Sequence, residues 1–124
     1  METLLRLFPS TLSPDVHVRR ASEQELHQLE SQPGMLAASF QLVASPEVDT
    51  SIRQAAAIYV KNRISRTWDA SLARGFSDAP SAVSDQDKEV VRSGLLPTIA
   101  SLPPTLRVHI ASAMYSIVRC DFPQ

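Results

Sequence analysis

The sequence predicts an all-α fold built from antiparallel helix pairs. Apolar residues recur at spacings of three and four along several segments, which is the period of an amphipathic helix. Only three of the 124 residues are glycine, and the prolines lie mainly between the periodic segments. This distribution favours helices joined by short turns over a sheet. With 44% hydrophobic residues, the chain is expected to bury one core.

Residues 51–69 show the helical pattern most clearly. Small alanines at the centre of one apolar stripe would let a second helix approach closely. Asp49 or Thr50 is placed to cap the start of this helix. The stripe consists of Ile52, Ala55, Ala56, Tyr59, Val60 and Ile64. Four cationic residues are assigned to the remaining surface: Arg53, Lys61, Arg63 and Arg66.

The start of this helix recurs in the chain. Segments 15–19, 49–53 and 103–107 each place a turn or helix-start signal before an apolar residue and an arginine. Another apolar residue follows eight positions after the first in each case: Leu26, Val60 and Met114. The first two arginines lie about 34 residues apart, in the range of helical repeats, and the third lies about 54 further on. We assign the excess of roughly 20 residues to an exposed inserted loop at 69–83. The arginines, at 19, 53 and 107, are expected to be structural and to bridge neighbouring repeats.

Two helices and a short apolar segment precede the central helix. Residues 2–11 form a first helix that Pro9 kinks or ends, and Ser13 is the expected N-cap of a second helix running to about Glu30. The inward positions of this second helix are Val18, Ala21, Ser22, Leu26 and Leu29. After the break at 33–34, residues 35–44 are almost wholly apolar, which implies burial on more than one side.

Two helices follow the predicted loop. Ser84 and Asp87 resemble a capping box, and Pro97 is expected to bend the helix that they start. Its inward positions are Val91, Leu95, Ile99 and Leu102. The last helix covers residues 106–120. A stack that ends on an apolar helix suggests the beginning of a longer solenoid, and the uncovered edge is a candidate surface for self-association.

Several functional classes are disfavoured by composition. A net charge of −1 and a longest basic run of two residues, Arg19 and Arg20, predict no direct nucleic-acid binding. The single cysteine, Cys120, excludes an internal disulfide, and no segment predicts a membrane span. The chain lacks a glycine-rich phosphate loop, a nucleophile elbow and paired metal ligands. We therefore predict no enzyme, no catalytic residue, no metal and no cofactor.

An ordered set of motifs resembles a known family. The set comprises residues 20–26, the break at 32–34, residues 52–56 followed by 60–62, Trp68, residues 102–104 and residues 121–123. In this order and spacing they resemble the N-terminal HEAT-repeat domain of the importin-β (karyopherin-β) superfamily, over nearly the whole chain. The branch with importins seven and eight is the most similar. The third repeat departs from the pattern, because Pro103–Thr105 replaces the aspartate-type start.

The resemblance implies a fold and a function. The fold is a right-handed α-solenoid fragment of about three antiparallel helix pairs, with residues 1–124 as one N-terminal domain. The function is that of a nuclear transport receptor that shuttles between cytoplasm and nucleus, and this region would bind the GTP form of the GTPase Ran to control cargo loading or release. Nucleoporins and cargo would bind mainly to repeats beyond residue 124. A generic HEAT-repeat scaffold or adaptor with another protein partner stays open as the alternative.

The Ran-binding surface implied by the resemblance lies on the second helix of each pair, opposite the core stripe. Lys61 and Asn62 belong to a motif of the family, whereas the other candidates are placed by helical phase alone. Tyr115 is the obvious aromatic anchor. The candidate Ran-binding residues are Gln24, His27, Lys61, Asn62, Ser65, Tyr115 and Arg119. Trp68 is interpreted as a packing residue.

Overall fold

The structure, a computed structural model, describes residues 2–68 and 83–121. These residues form six α-helices and no strand, which confirms the predicted all-α class. The helices are α1 (Glu2–Ser10), α2 (Val16–Leu29), α3 (Met35–Val43), α4 (Thr50–Thr67), α5 (Asp85–Ser101) and α6 (Pro104–Asp121). The predicted loop lies outside the described residues except for Val83, whose side chain is buried.

The helices pack as three pairs: α1 on α2, α3 on α4, and α5 on α6. Along the stack, α3 contacts α5 and α4 contacts α6, so the second and third pairs form two layers. The first pair meets α4 mainly through α1. Because α1 makes this contact, α2 stands slightly apart from α4, and a groove separates the two helices.

Close contact between helices depends on small residues. Ala55, Ala56 and Ala57 are at most 3% exposed at the centre of α4, where larger side chains would hold the neighbouring helices apart. Gly94 serves the same purpose in α5. A Cβ at this position would lie 2.9 Å from Cε1 of Phe40 on α3, so only glycine fits without a shift of the ring.

Side-chain caps begin three of the helices. Asp49 caps α4, and its carboxylate accepts from the hydroxyl and N–H of Ser51, which lower the pKa of Asp49 below its usual value. Ser84 caps α5, as predicted. The predicted cap of α2 was wrong by two residues, because Asp15 accepts from the N–H of His17. Ser13 instead accepts from the N–H of Asp15, which uses its hydroxyl in the preceding turn.

Asp87 joins two distant parts of the chain. Its Oδ2 accepts from the N–H of Gly34 at 3.1 Å, so it links the turn before α3 to the first turn of α5. Gly34 has a φ of 94°, a conformation that residues with a Cβ rarely adopt. The Asp87 carboxylate is buried where it accepts this bond from Gly34. The capping-box pattern does not predict such a long-range contact.

The assignment of Arg53 and Arg63 to the surface was wrong, because both side chains are buried. Arg53 Nε donates to the carbonyl of Val43 at 3.0 Å, and Arg107 Nη2 donates to that of Leu102 at 2.8 Å. The last carbonyls of a helix have no partner within it, so an arginine from the next helix can satisfy one of them. The predicted structural role is therefore confirmed for these arginines, but each links the two helices of its own pair, and the predicted bridge between repeats was wrong.

Arg19 also donates to a main-chain carbonyl, but its Nη1 bonds that of Ser13 in the turn before α2 and not the end of α1. Two predicted core positions of α2 are exposed: Val18 at 43% and Ala21. The reason is the position of α2 at the end of the stack. It packs mainly on α1, so its buried stripe is narrower than that of a helix with neighbours on both sides.

Candidate protein-binding site

The second helices of the three pairs expose the residues that helical phase predicts. Opposite their buried stripes, α2, α4 and α6 present amide, hydroxyl, cationic and aromatic groups to solvent. Tyr115 is 65% exposed and Lys61 is partly exposed. The exposed candidates are Gln24, His27, Asn62, Ser65, Tyr115 and Arg119.

Three of these candidates meet at the groove between α2 and α4. The α2–α4 groove has a volume of about 470 Å³, and His27, Asn62 and Ser65 contribute to its lining. Its other lining residues are apolar (Phe8, Leu12, Leu26, Ala55, Ile58) or polar (Thr11, Glu23, Glu30, Tyr59, Arg66). The groove is thus lined by five apolar residues and eight polar or charged ones, so it offers hydrogen-bonding groups beside a smaller apolar surface.

The other candidates lie elsewhere on this surface. Gln24 shares a shallow depression on α2 with Arg20 and His27, outside the α2–α4 groove. On α6, the guanidinium of Arg119 lies 5.7 Å from the ring centroid of Tyr115, a cation–π contact. The structure therefore divides the predicted site into a groove and two flanking patches.

Lys61 lies close enough to α6 to influence His109. Burial, and then the charge of Lys61, lower the pKa of the His109 imidazole below its ordinary value. The Nδ1 atom of His109 is buried and has no hydrogen-bond partner among the described residues. Lys61 thus acts electrostatically at the contact between the second and third pairs.

A buried polar cluster lies at the floor of the groove, and the sequence analysis did not predict it. Glu30 is only 4% exposed. Its Oε1 accepts from the Tyr59 hydroxyl at 2.9 Å and lies 3.6 Å from Nη2 of Arg66. Burial is the main reason why the pKa of the Tyr59 hydroxyl is raised, so this group stays protonated and remains a donor to Glu30.

Arg63 completes the cluster and is only 1% exposed. Its Nη2 donates to the main-chain oxygen of Glu30 at 3.2 Å, while Nε and Nη1 have no hydrogen-bond partner among the described residues. One signal could have found this cluster. Tyr59, Arg63 and Arg66 follow each other at spacings of four and three, so they share one face of α4.

Trp68 has the packing role that was predicted. It is 1% exposed, and the cationic groups of Lys88 and Arg92 lie 5.2 and 5.3 Å from its ring centroid. Across residues 2–68 and 83–121, no cluster of His, Cys, Asp and Glu has the geometry to hold a metal ion. None of the described helices has the length and apolarity needed to span a membrane.

Comparison with known proteins places this fold in a family. The family model described as the importin-beta N-terminal domain matches residues 22–101, which confirms the predicted family. Among solved structures, the chain resembles a protein chain in a structure that describes Kap95p binding to RanGDP, with a TM-score of 0.73 and 23% sequence identity. The likeness covers 99% of this chain and 15% of that one, and it shows a shared α-solenoid fold.

Curated relatives include both importins and exportins. The "Importin beta-like SAD2 homolog" of Arabidopsis thaliana is 33% identical over 93% of this chain and 11% of its own length. "Exportin-2" of Oreochromis niloticus is 32% identical over 100% of this chain and 12% of its own length. "Importin-8" of Homo sapiens is 26% identical over 99% and 12%, respectively. The chain therefore spans 11–12% of the length of these relatives.

Proposed function

The chain belongs to the importin-β N-terminal domain family, and from this premise we propose that it is the N-terminal part of a nuclear transport receptor. In this proposal, α2, α4 and α6 bind the GTP form of Ran, and Ran binding controls cargo loading or release. The match to the family model over residues 22–101 is the main support. A second support is the fold neighbour Kap95p, whose binding induces the switch loops of RanGDP to adopt the GTP-bound conformation.

The structural observation that supports the proposal beside the family match is the row of exposed or partly exposed polar groups on three consecutive second helices. Amides at Gln24 and Asn62, cations at Lys61 and Arg119, and the ring of Tyr115 all lie opposite the core. Protein interfaces of moderate affinity use dispersed polar contacts around a few aromatic or arginine anchors. This surface has that composition.

The rest of the proposed role concerns the longer protein. Its cargo and nucleoporin sites are assigned mainly to repeats beyond residue 124, and it shuttles between cytoplasm and nucleus. The family consists of transport receptors, and we assign no catalytic activity to this chain. The edge of α6 is assigned to self-association, because Val108 and Val118 are 66% and 48% exposed there.

The proposal is tested by titration calorimetry of this chain against Ran that is loaded either with a non-hydrolysable GTP analogue or with GDP. We expect at least tenfold tighter binding to the GTP form, and weaker binding after Lys61→Ala or Asn62→Ala. Gln41→Ala is the control, since Gln41 is an exposed amide on α3, in the other layer. Equal affinity for the two nucleotide forms would contradict the proposal and favour a generic helical scaffold.

A further inference from the structure

At the floor of the α2–α4 groove lies a carboxylate oxygen that accepts no hydrogen bond from the described residues. Glu30 is 4% exposed, and its Oε2 has no hydrogen-bond partner among the described residues. The other carboxylate oxygen, Oε1, already accepts from Tyr59 and lies beside Arg66. A buried carboxylate oxygen without a donor is costly, so a donor that arrives with a partner gains the full value of this contact.

Among the described residues, the cations near Glu30 do not supply that donor. Arg63 donates to the main-chain oxygen of Glu30, and Arg66 is held to one side by its hydrogen bond to the Asn62 carbonyl. His27 Nδ1 lies 3.5 Å from Oε2, which is longer than an ordinary N–H···O hydrogen bond. His27 is also more than half exposed, so its ring can swing aside without loss of packing.

The walls of the groove suit a side chain with an apolar stem and a charged tip. Leu26, Ala55 and Ile58 are apolar residues of the same lining as Glu30, and Asn62 and Ser65 are its exposed polar residues on α4. Lysine and arginine bury their methylene groups along such walls while the cationic head reaches a polar group. An acidic side chain would meet Glu30 as a like charge, and an apolar one would leave Oε2 unpaired.

We propose that the α2–α4 groove receives one basic side chain, a lysine or an arginine, of the protein that docks on the second helices, and that its cationic head donates to Glu30 Oε2. This inference rests on the proposed function, which identifies the docked protein as Ran in its GTP form. His27, Asn62 and Ser65 line the same groove, so a partner bound to them lies directly over Glu30.

The first test measures the affinity of Glu30→Gln for Ran with the GTP analogue. Loss of a charged hydrogen bond predicts binding weaker by about tenfold or more. The matched control is Glu25→Gln, which makes the same charge change on the exposed face of α2 and is expected to stay within about twofold. Wild-type affinity in Glu30→Gln would overturn the inference and leave the proposed function intact.

The second test does not depend on Ran. Because Glu30 shares a buried cluster with Arg63, Glu30→Gln can lose stability for structural reasons. The wild-type chain is therefore titrated with n-butylammonium chloride, and separately with neutral 1-butanol, while the methyl resonances of Leu26 and Ile58 are followed by NMR. A Ser65→Phe variant, which keeps the carboxylate and covers the rim, is the comparison.

The expected result is a saturable shift with n-butylammonium that 1-butanol does not produce and that Ser65→Phe abolishes. Equal shifts with both compounds, or no shift with either, would overturn the inference. Failure of the wild-type chain to distinguish the nucleotide forms of Ran would contradict only the proposed function, and the ammonium titration would then decide the inference by itself.

Discussion

Replacement of Arg53 by methionine tests how the two helices of a pair are linked. The Arg53 side chain is 7% exposed, and its Nε donates to the carbonyl of Val43, the last residue of α3. Methionine retains much of the apolar stem and removes only the charged donor. Loss of a charge-assisted hydrogen bond, with a buried carbonyl left unpaired, predicts a decrease of about 2–3 kcal/mol in the free energy of unfolding.

Arg107 provides the internal comparison, because it makes the equivalent bond to Leu102 from an exposed position. Water can replace the lost donor there, so Arg107→Met is expected to cost about 0.5–1 kcal/mol. Urea unfolding followed by circular dichroism measures both variants, with an unchanged m-value as the check on two-state behaviour. A difference of less than about 0.5 kcal/mol between the variants would refute the reasoning that burial decides the cost.

Three further predictions follow from the same structure. Gly94→Ala should lower the free energy of unfolding by up to about 2 kcal/mol in urea titrations, because the clash of its Cβ with the ring of Phe40 costs about 1–3 kcal/mol and the helix propensity of alanine offsets about 1 kcal/mol; a variant more stable than the wild type would contradict the close contact. The pKa of His109 is lower in the folded chain than its ordinary value of 6.5. The contribution of neutral His109 to the free energy of unfolding should therefore be fully present above pH 6.5 and decrease as the pH drops below that value. His109→Gln should flatten this loss between about pH 7 and pH 5, whereas His17→Gln, at an exposed position, should not. The mass of the chain measured by light scattering should rise with concentration and stay monomeric in Val118→Glu; a monomeric wild type at high concentration would exclude self-association.

Local sequence patterns were sufficient to locate the helices. The stripe of Val91, Leu95, Ile99 and Leu102 predicted α5; Ile99 is partly buried against the core and the other three side chains are buried. Helical phase also placed Gln24 and Tyr115 on the exposed side correctly. These predictions succeed because helix formation and the direction of side chains depend on residues only a few positions apart.

The choice between nearby caps was less certain from sequence. Ser13 and Asp15 are both good capping residues two positions apart, and a single-residue preference does not separate them. The structure uses Asp15 for the cap and Ser13 for the turn before it. The outcome depends on the path of the chain between α1 and α2, which the packing of those helices decides.

The sequence by itself determined the helical class, the repeat and the family, because periodicity and the order of motifs are properties of the chain. Only the tertiary structure decided that Arg53 and Arg63 are buried. A pattern with one apolar stripe assumes one buried face, but α4 is surrounded by α1, α3 and α6. The burial of the Glu30 carboxylate was likewise not predictable from local sequence, because Glu30 is buried against Tyr59 and Arg63 of α4, about 30 residues further along the chain. Whether a charged group lies in water or in a groove depends on how many helices surround it, and that number is set by the fold.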